Sequence, residues 1–383
     1  MINDSLDDAA SLITGRAVDV DAVLARLYDR PRWDRHLFYP VPRAGDFSAL
    51  ARFFALPWNN IGHRLGNPPG GNHTKPAERA VLAWAADLFF GLRTEGDWWG
   101  NVTTGGTGGN RAGLLAGRDT FAATAVGYYT DSDHYSIPKL MHELSIPAVA
   151  VRSRPDGEMD YDDLYDRLRP GAPAIVNITA GTTTTEAVSD PGKVSAVLDA
   201  AGITDRHLHC DAALSGIPLA LDGLLETGPL HSLAASGHKF LGVRQPTGFV
   251  VGRRLAHRRE QHIAYIDTID DSPAGSIDGL PVLAMWYVVA TLGDNGLRAW
   301  AHEARETAAY LRDQLVRLGV PAWRHPHAFT VVFPEPPARV LRDWPVYRDG
   351  NGGCHLVCMP GVTREGIDAF VAAMADALRA AAA

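Results

Sequence analysis

Lysine is scarce in this chain: four among 383 residues, Lys75, Lys139, Lys193 and Lys239, against 32 arginines. Positive charge is normally supplied here by guanidinium, so each lysine raises the question of what only an amine can do. An amine can lose its proton when desolvated and attack a carbonyl, which a guanidinium cannot. Cysteine is scarce too, and Cys210, Cys354 and Cys358 cannot all pair, so reduced intracellular thiols are expected. No apolar run approaches the roughly 20 residues of a membrane span. The opening MINDSLDDAASLITGRAVDVDAV is acidic and lacks the basic start and apolar core of a secretory signal, so a cytoplasmic protein with no membrane partner is expected. A net charge of -8 and dispersed arginines argue against a nucleic-acid partner. Metal-ligand spacing is also lacking. Cys354 and Cys358 flank His355 in a run that reads as a buried strand, and the pairs His207/His209 and His325/His327 match no zinc pattern, so no metal is expected.

What is present is an ordinary globular composition, 46% hydrophobic and 21% charged, in a chain long enough for a large domain and a smaller one. Residues 1–60 carry an amphipathic helix pattern (Val18, Val20, Val23, Leu24, Leu27) and a Pro- and aromatic-rich arm, RPRWDRHLFYPVP, which suits packing on another surface. Residues 61–280 read as the large domain. A helix from Pro76 is followed by strands near 99–103, 123–129, 147–152, 173–179, 207–211, 232–236 and 247–252. Helices near 108–118, 134–145, 160–169 and 191–202 alternate with them. That alternation predicts a mostly parallel sheet covered on both faces. Residues 281–383 read as a small α+β domain, with helices near 281–294, 297–319 and 363–380 and strands at 329–333 and 355–359.

Ligands of an open parallel sheet bind beyond the C-terminal ends of its strands. The first such loop, 103-TTGGTGGN-110, leads into a helix. Its glycines and threonines suit either a phosphate cup or a tight turn. It is neither a dinucleotide fingerprint, which would need Gly at Arg111, nor a P-loop. The second loop, 131-DSDHYSIPKL-140, holds His134, a capping residue or a catalytic one. The third, 177-NITAGTTTTEAVSD-190, offers threonine hydroxyls. The fourth, 209-HCDAALSG-216, puts Asp211 after apolar residues, an unfavourable place for a carboxylate unless a positive group meets it. The fifth, 236-SGHKFLG-242, contains Lys239. A phosphate cup, an imidazole, hydroxyls, a semi-buried carboxylate and an isolated amine are together the set that pyridoxal 5'-phosphate needs.

The motifs TTGGTGGN, DHYS, GTTTTEA, HCDAALSG and SGHKFLG resemble those of the group II pyridoxal-phosphate-dependent decarboxylases, and most of all the bacterial histidine decarboxylases, over about residues 38–380. The resemblance implies a fold-type-I, aspartate aminotransferase-like α/β domain and an obligate homodimer with shared active sites, which would give the N-terminal arm its partner. It implies Lys239 as the Schiff-base lysine, Asp211 as partner of the pyridine nitrogen and His134 as the imidazole stacked on the ring. Gly105, Gly106, Thr107, Ser236 and His238 would hold the phosphate, Ala213 would pack on the ring, and Thr182 would lie near its phenolic oxygen. Tyr265, in a segment expected to be a loop over the site, would protonate Cα across the subunit interface or anchor that interface. Two departures stand out: Gly108 where the family usually has Glu, and Ile277 and Asp278 where the histidine decarboxylases have a basic residue and an amide. The implied activity is α-decarboxylation of an L-amino acid, histidine first. Another fold-type-I reaction on an amino acid (decarboxylation-dependent oxidation, lyase or transamination), a non-catalytic binder of the same cofactor and a cofactor-free phosphate-binding domain are the alternatives.

Overall fold

The computed structural model describes residues 38–382 apart from 122–123, 255–260, 273 and 351, with a few isolated positions before residue 38. The helix expected at Val18 to Leu27 and the first part of the arm lie outside that continuous range. The described end of the arm packs on its own chain. Phe38 is buried edge-on against Phe370, 5.4 Å between ring centroids, and the Arg43 N–H donates to the Pro360 carbonyl at 2.9 Å.

Seven strands form the central sheet: β1 (Trp98–Thr103), β2 (Val126–Thr130), β3 (Ala148–Val151), β4 (Ala174–Thr179), β5 (Arg206–Asp211), β6 (Ser232–Ser236) and β7 (Gly248–Arg253). Their order is β1-β7-β6-β5-β4-β2-β3. β7 runs antiparallel to both neighbours, and the other adjacent pairs are parallel. Every residue of β4 is buried, as a central strand covered on both faces requires.

Helices α1 (Lys75–Phe90), α2 (Gly106–Phe121), α3 (Ser136–Glu143), α4 (Tyr161–Arg167), α5 (Pro191–Ala200) and α6 (Gly216–Leu221) alternate with the strands. In α1, Pro76 sits in the first turn, and Ala77, Val81, Leu82, Ala85, Ala86 and Phe89 recur at helical spacing as its buried face. The helix stops at Gly91, whose φ of 66° is left-handed. Burying each large apolar side chain of this kind contributes about 1.5–3 kcal/mol. The period-2 alternation of β7 splits its side chains between the two faces: Phe249 packs on Phe89 of α1, and Val250 packs with Trp99 and Ala112 of α2.

The two helical segments expected at 281–294 and 297–319 form one run, α7 (Gly279–Arg317), broken only at Gly293, where φ 58° and ψ -179° leave the helical region. Before the break Val282, Met285 and Val288 join the core of the large sheet. The far end, with Ala308, Leu311 and Leu315, joins a second core with Phe333, Leu356, Phe370 and Met374. That second core lies under the antiparallel sheet of β10 (Thr330–Pro334), β12 (Gly353–Val357) and β11 (Tyr347–Arg348), with α8 (Ala338–Asp343) and α9 (Arg364–Ala382).

The acidic segment around Tyr265, expected to be a loop over the site and not a core strand, is a short hairpin. β8 (Gln261–Ile263) pairs with β9 (Thr268–Asp270), and residues 264–266 form the 3-10 tip. The hairpin reaches the chain before α1, where the His63 N–H donates to the Ile269 carbonyl at 2.7 Å.

Candidate active site

The C-terminal ends of β1, β2, β4, β5 and β6 open on one cavity of about 430 Å³. It is lined by Gly105, Gly106, Thr107, His134, Asp211, Ala213, Ser236, His238 and Lys239. Nine of the eleven expected site residues therefore meet, although they are spread over 135 positions from Gly105 to Lys239. They converge because parallel strands deliver every following loop to the same edge.

Lys239 follows β6 in a tight turn in which the Gly242 N–H donates to the Lys239 carbonyl at 2.9 Å, and Phe240 and Leu241 are buried behind it. Desolvation lowers the pKa of its amine, and the charges of Asp211 and Glu186 oppose that effect. Among the described residues, Nζ has no hydrogen-bond or ion-pair partner. Burial alone does not distinguish it. Lys75 is only 1% exposed and is also desolvated, but its Nζ donates to the Gly62 carbonyl at 2.6 Å and pairs with Glu78 at 3.3 Å, away from the cavity. Lys193 pairs with Glu158 at 3.1 Å, and Lys139 is exposed on the cavity rim.

Asp211 ends β5. Its Oδ1 accepts from the Ala213 N–H at 3.1 Å and its Oδ2 from Asn110 Nδ2 at 2.7 Å. Asn110 is a site residue that the sequence reading did not single out, although it closes the Gly-rich run. The imidazole of His134 lies in the cavity wall, where its Nδ1 accepts from the Ser136 hydroxyl at 2.8 Å and from the Ser136 N–H at 3.3 Å. Desolvation lowers its pKa, Asp211 opposes the shift and Lys239 adds to it, so the ring is neutral at pH 7. The neighbouring Asp133, also unforeseen, is buried beneath this loop. Its carboxylate accepts from Thr179 Oγ1 (2.7 Å), Asn177 Nδ2 (2.8 Å), Thr130 Oγ1 (2.9 Å) and the Thr130 N–H (3.1 Å), while burial pushes its pKa up to about 6.

The part of the cavity expected to hold a phosphate is the start of α2. Gly105 has φ 137°, and a Cβ on Gly106 would lie 2.6 Å from Ser236 Oγ and 3.0 Å from the Ala213 Cβ. Glycine is needed there for the backbone to approach so closely, and the first-turn N–H groups of this 16-residue helix have no intrahelical acceptor. His238 is held at Nδ1 by the Thr247 carbonyl at 2.9 Å. A desolvated amine without a partner among the described residues, a buried carboxylate with donors of its own and an anion cup fit pyridoxal phosphate at its aldehyde, ring nitrogen and phosphate.

Two expected residues lie elsewhere. Thr182 does not line the cavity. The loop turns back on itself, with the Thr182 and Gly181 N–H groups both donating to the Ala187 carbonyl, so its hydroxyl is only 2.9 Å from Thr185 Oγ1 and accepts from the Ala187 N–H at 3.0 Å. Thr179 and Thr183 line the cavity in its place. Tyr265, at the hairpin tip, is 80% exposed and outside the cavity of its own chain. Of the family departures, Gly108 does line the cavity, and a Cβ there would lie 3.2 Å from the Thr103 Cβ. Ile277 and Asp278 do not: they pair with Asn60 and Asn59, and Asp278 caps α7 by accepting from the Leu280 N–H at 2.9 Å.

The pyridoxal-dependent decarboxylase conserved domain matches residues 115–320. A histidine decarboxylase of Mesorhizobium japonicum is 35% identical over 345 residues, covering 88% of this chain and 91% of that protein. Serine decarboxylase 2 of Oryza sativa subsp. japonica is 34% identical over 351 residues, covering 89% and 74%. Among solved structures, L-methionine decarboxylase from Streptomyces sp. 590 superposes with a TM-score of 0.83 at 23% identity, over 94% of this chain and 96% of that one. Glutamate decarboxylase of Lactobacillus brevis superposes at 0.78 and 15% identity over 95% and 93%, so the fold is shared where sequence has diverged.

Proposed function

This chain belongs to the pyridoxal-dependent decarboxylase family and is a pyridoxal-phosphate-dependent amino-acid decarboxylase; from that premise we propose that its substrate is L-histidine and that Lys239, Asp211 and His134 carry the reaction. The observation behind the residue assignment is the desolvated Lys239 amine, without a partner among the described residues, in one cavity with the Asp211 carboxylate. Histidine comes first because the histidine decarboxylase of Mesorhizobium japonicum is aligned over 91% of its length. Serine is the competing substrate, from the 34% identity to the rice enzyme.

Bound pyridoxal phosphate supplies an aldehyde that captures amines and a protonated ring that accepts the electron pair left when carbon dioxide departs. The residues of the chain do the rest. Lys239, its pKa lowered by burial, would hold the aldehyde through its amine until a substrate amine takes its place. Asp211 would face the ring nitrogen, where a carboxylate favours its protonated form. His134, in the cavity wall, would pack on the ring face. The α2 N–H groups, Thr107, Ser236 and His238 would hold the phosphate. Tyr265, reaching over from the neighbouring subunit of the proposed dimer, would supply the proton that Cα takes once carbon dioxide has left.

Assembly as a homodimer is part of this reading, and Tyr265, 80% exposed at the tip of the hairpin, would reach the neighbouring subunit. No helix among the described residues is long and apolar enough to cross a membrane, and we place the enzyme in the cytoplasm. Incubating the cofactor-loaded protein with each of the common amino acids, with carbon dioxide and products quantified, tests the reading. Histamine with equimolar carbon dioxide is expected. Faster release of ethanolamine from serine would replace histidine, and a keto acid, or an aldehyde with peroxide, would overturn simple decarboxylation.

A further inference from the structure

We propose that Asn110 and His209 are positioning residues of this reaction: through a buried hydrogen-bonded chain from Asp211 to His207 they hold the Asp211 carboxylate aimed into the cavity. The inference rests on the reading of Asp211 as partner of the ring nitrogen of the cofactor.

The chain runs Asp211, Asn110, His209, Ser232, His207, and its polarity follows from the chemistry of each group. An ionised carboxylate only accepts, so Asn110 turns its Nδ2 toward Asp211 Oδ2, at 2.7 Å. The carboxamide oxygen then faces His209 Nε2 at 3.1 Å, and because that oxygen only accepts, His209 carries its proton on Nε2. Its Nδ1 is left to accept from the Ser232 hydroxyl at 2.8 Å. Ser232 has spent its one proton, so it accepts from His207 Nε2 at 3.0 Å. Each link from Asp211 to Ser232 has one donor and one acceptor, and the His207 ring at the far end also meets the Gly113 carbonyl. A protonated Asp211 donating to Asn110 would require the amide to flip and every proton behind it to reverse.

Two features make the chain rigid. His207, His209 and Asp211 alternate along β5 and so project from one face, directly beneath α2, while Ser232 is the register partner of His209 on β6. α2 lies close enough for Asn110 to reach because Gly113, one turn on, faces His209: a Cβ there would overlap the imidazole. None of the five residues is more than 5% exposed, so water cannot replace a lost link. Burial holds both imidazoles neutral, His209 down to about 3 and His207 well below its usual value, which the one-way proton order requires.

The test is equilibrium binding of the apoenzyme to pyridoxal phosphate and to its analogue with carbon in place of the ring nitrogen. The ratio of the two affinities isolates the contact of Asp211 with that nitrogen. Asp211→Asn is expected to abolish the preference for the natural cofactor. Asn110→Ala and His209→Phe are expected to reduce it about tenfold, by weakening a charge-assisted contact, and to leave affinity for the analogue unchanged. His209→Gln, whose amide can still donate to Asn110, is expected to recover most of it. In the loaded enzyme kcat should fall in the same order while KM changes little. If Asp211→Asn loses the preference while Asn110→Ala and His209→Phe keep it, the inference is overturned and the Asp211 reading stands. If Asp211→Asn keeps the preference, the reading itself fails. Should His209→Phe not fold, Asn110→Ala, on the helix side of the chain, decides alone.

Discussion

Glu186 and Thr330 are joined by two hydrogen bonds, one from the Thr330 N–H at 2.8 Å and one from its hydroxyl at 2.6 Å, both to the same buried carboxylate oxygen. The contact ties the loop after β4, which lines the cavity, to the first strand of the C-terminal unit. Ser215 and the Phe329 N–H donate to the same carboxylate, at 2.7 and 2.9 Å. Removing the side chain leaves four buried donors without their acceptor. Glu186→Ala should therefore cost on the order of 4 kcal/mol in urea unfolding. Because Glu186 has φ 57°, a conformation glycine adopts freely, Glu186→Gly should be the more stable of the two truncations by about 1 kcal/mol. A loss below about 1 kcal/mol for both would show that the carboxylate is not the clamp.

Asp133 should give the fold a measurable pH dependence. Its folded pKa of about 6 lies above the ordinary 3.8, so between those values the folded state holds a proton that the unfolded chain has lost. Stability from this group is then full below about pH 4 and declines as pH rises to about 6, by on the order of 3 kcal/mol. Relative to Asp133→Asn, the native protein should lose stability over that window and run parallel to the variant above it. A constant difference from pH 4 to 7 would mean that the four donors hold the carboxylate ionised throughout.

Lys239 should be the point of cofactor attachment. Borohydride reduction of the loaded enzyme, followed by peptide mapping, should place the pyridoxyl group on Lys239 and leave Lys75, Lys139 and Lys193 unlabelled. Lys75 is the informative control, since it too is desolvated but is already engaged by Glu78 and Gly62. A label there would show that burial, without the cavity, sets the reactivity.

Tyr265 stands outside its own cavity, so its chemistry must be exercised on another subunit if anywhere. Tyr265→Phe should form amine at least tenfold more slowly, with some aldehyde in the presence of dioxygen and little change in substrate binding. Mixing Tyr265→Phe with Lys239→Ala subunits should regenerate one competent site per heterodimer. With subunit exchange verified, a mixture no more active than its parents would remove Tyr265 from catalysis across the interface.

Much of the fold and the site was legible because it depends on local rules. Apolar runs at period 2 and helical period marked the strands and α1, and the sheet topology then carries Gly105, Asp211, Ser236 and Lys239 to one edge without further information. Lys239 stood out through the rarity of lysine, and Asp211 through the apolar residues before it. Orientation and pairing were not legible. Whether Thr182 or Thr183 faces the cavity depends on how the loop closes at Ala187, and the hairpin around Tyr265 is too short and too acidic to show a strand pattern. The sequence could mark His207 and His209 only as a doubtful metal pair. Tertiary structure joined His209 to Asn110, 99 positions earlier, and Glu186 to Thr330, 144 positions later. Such bonds form only once helix and sheet are packed, because each buried polar group must find its partner among whatever residues the fold brings within about 3 Å.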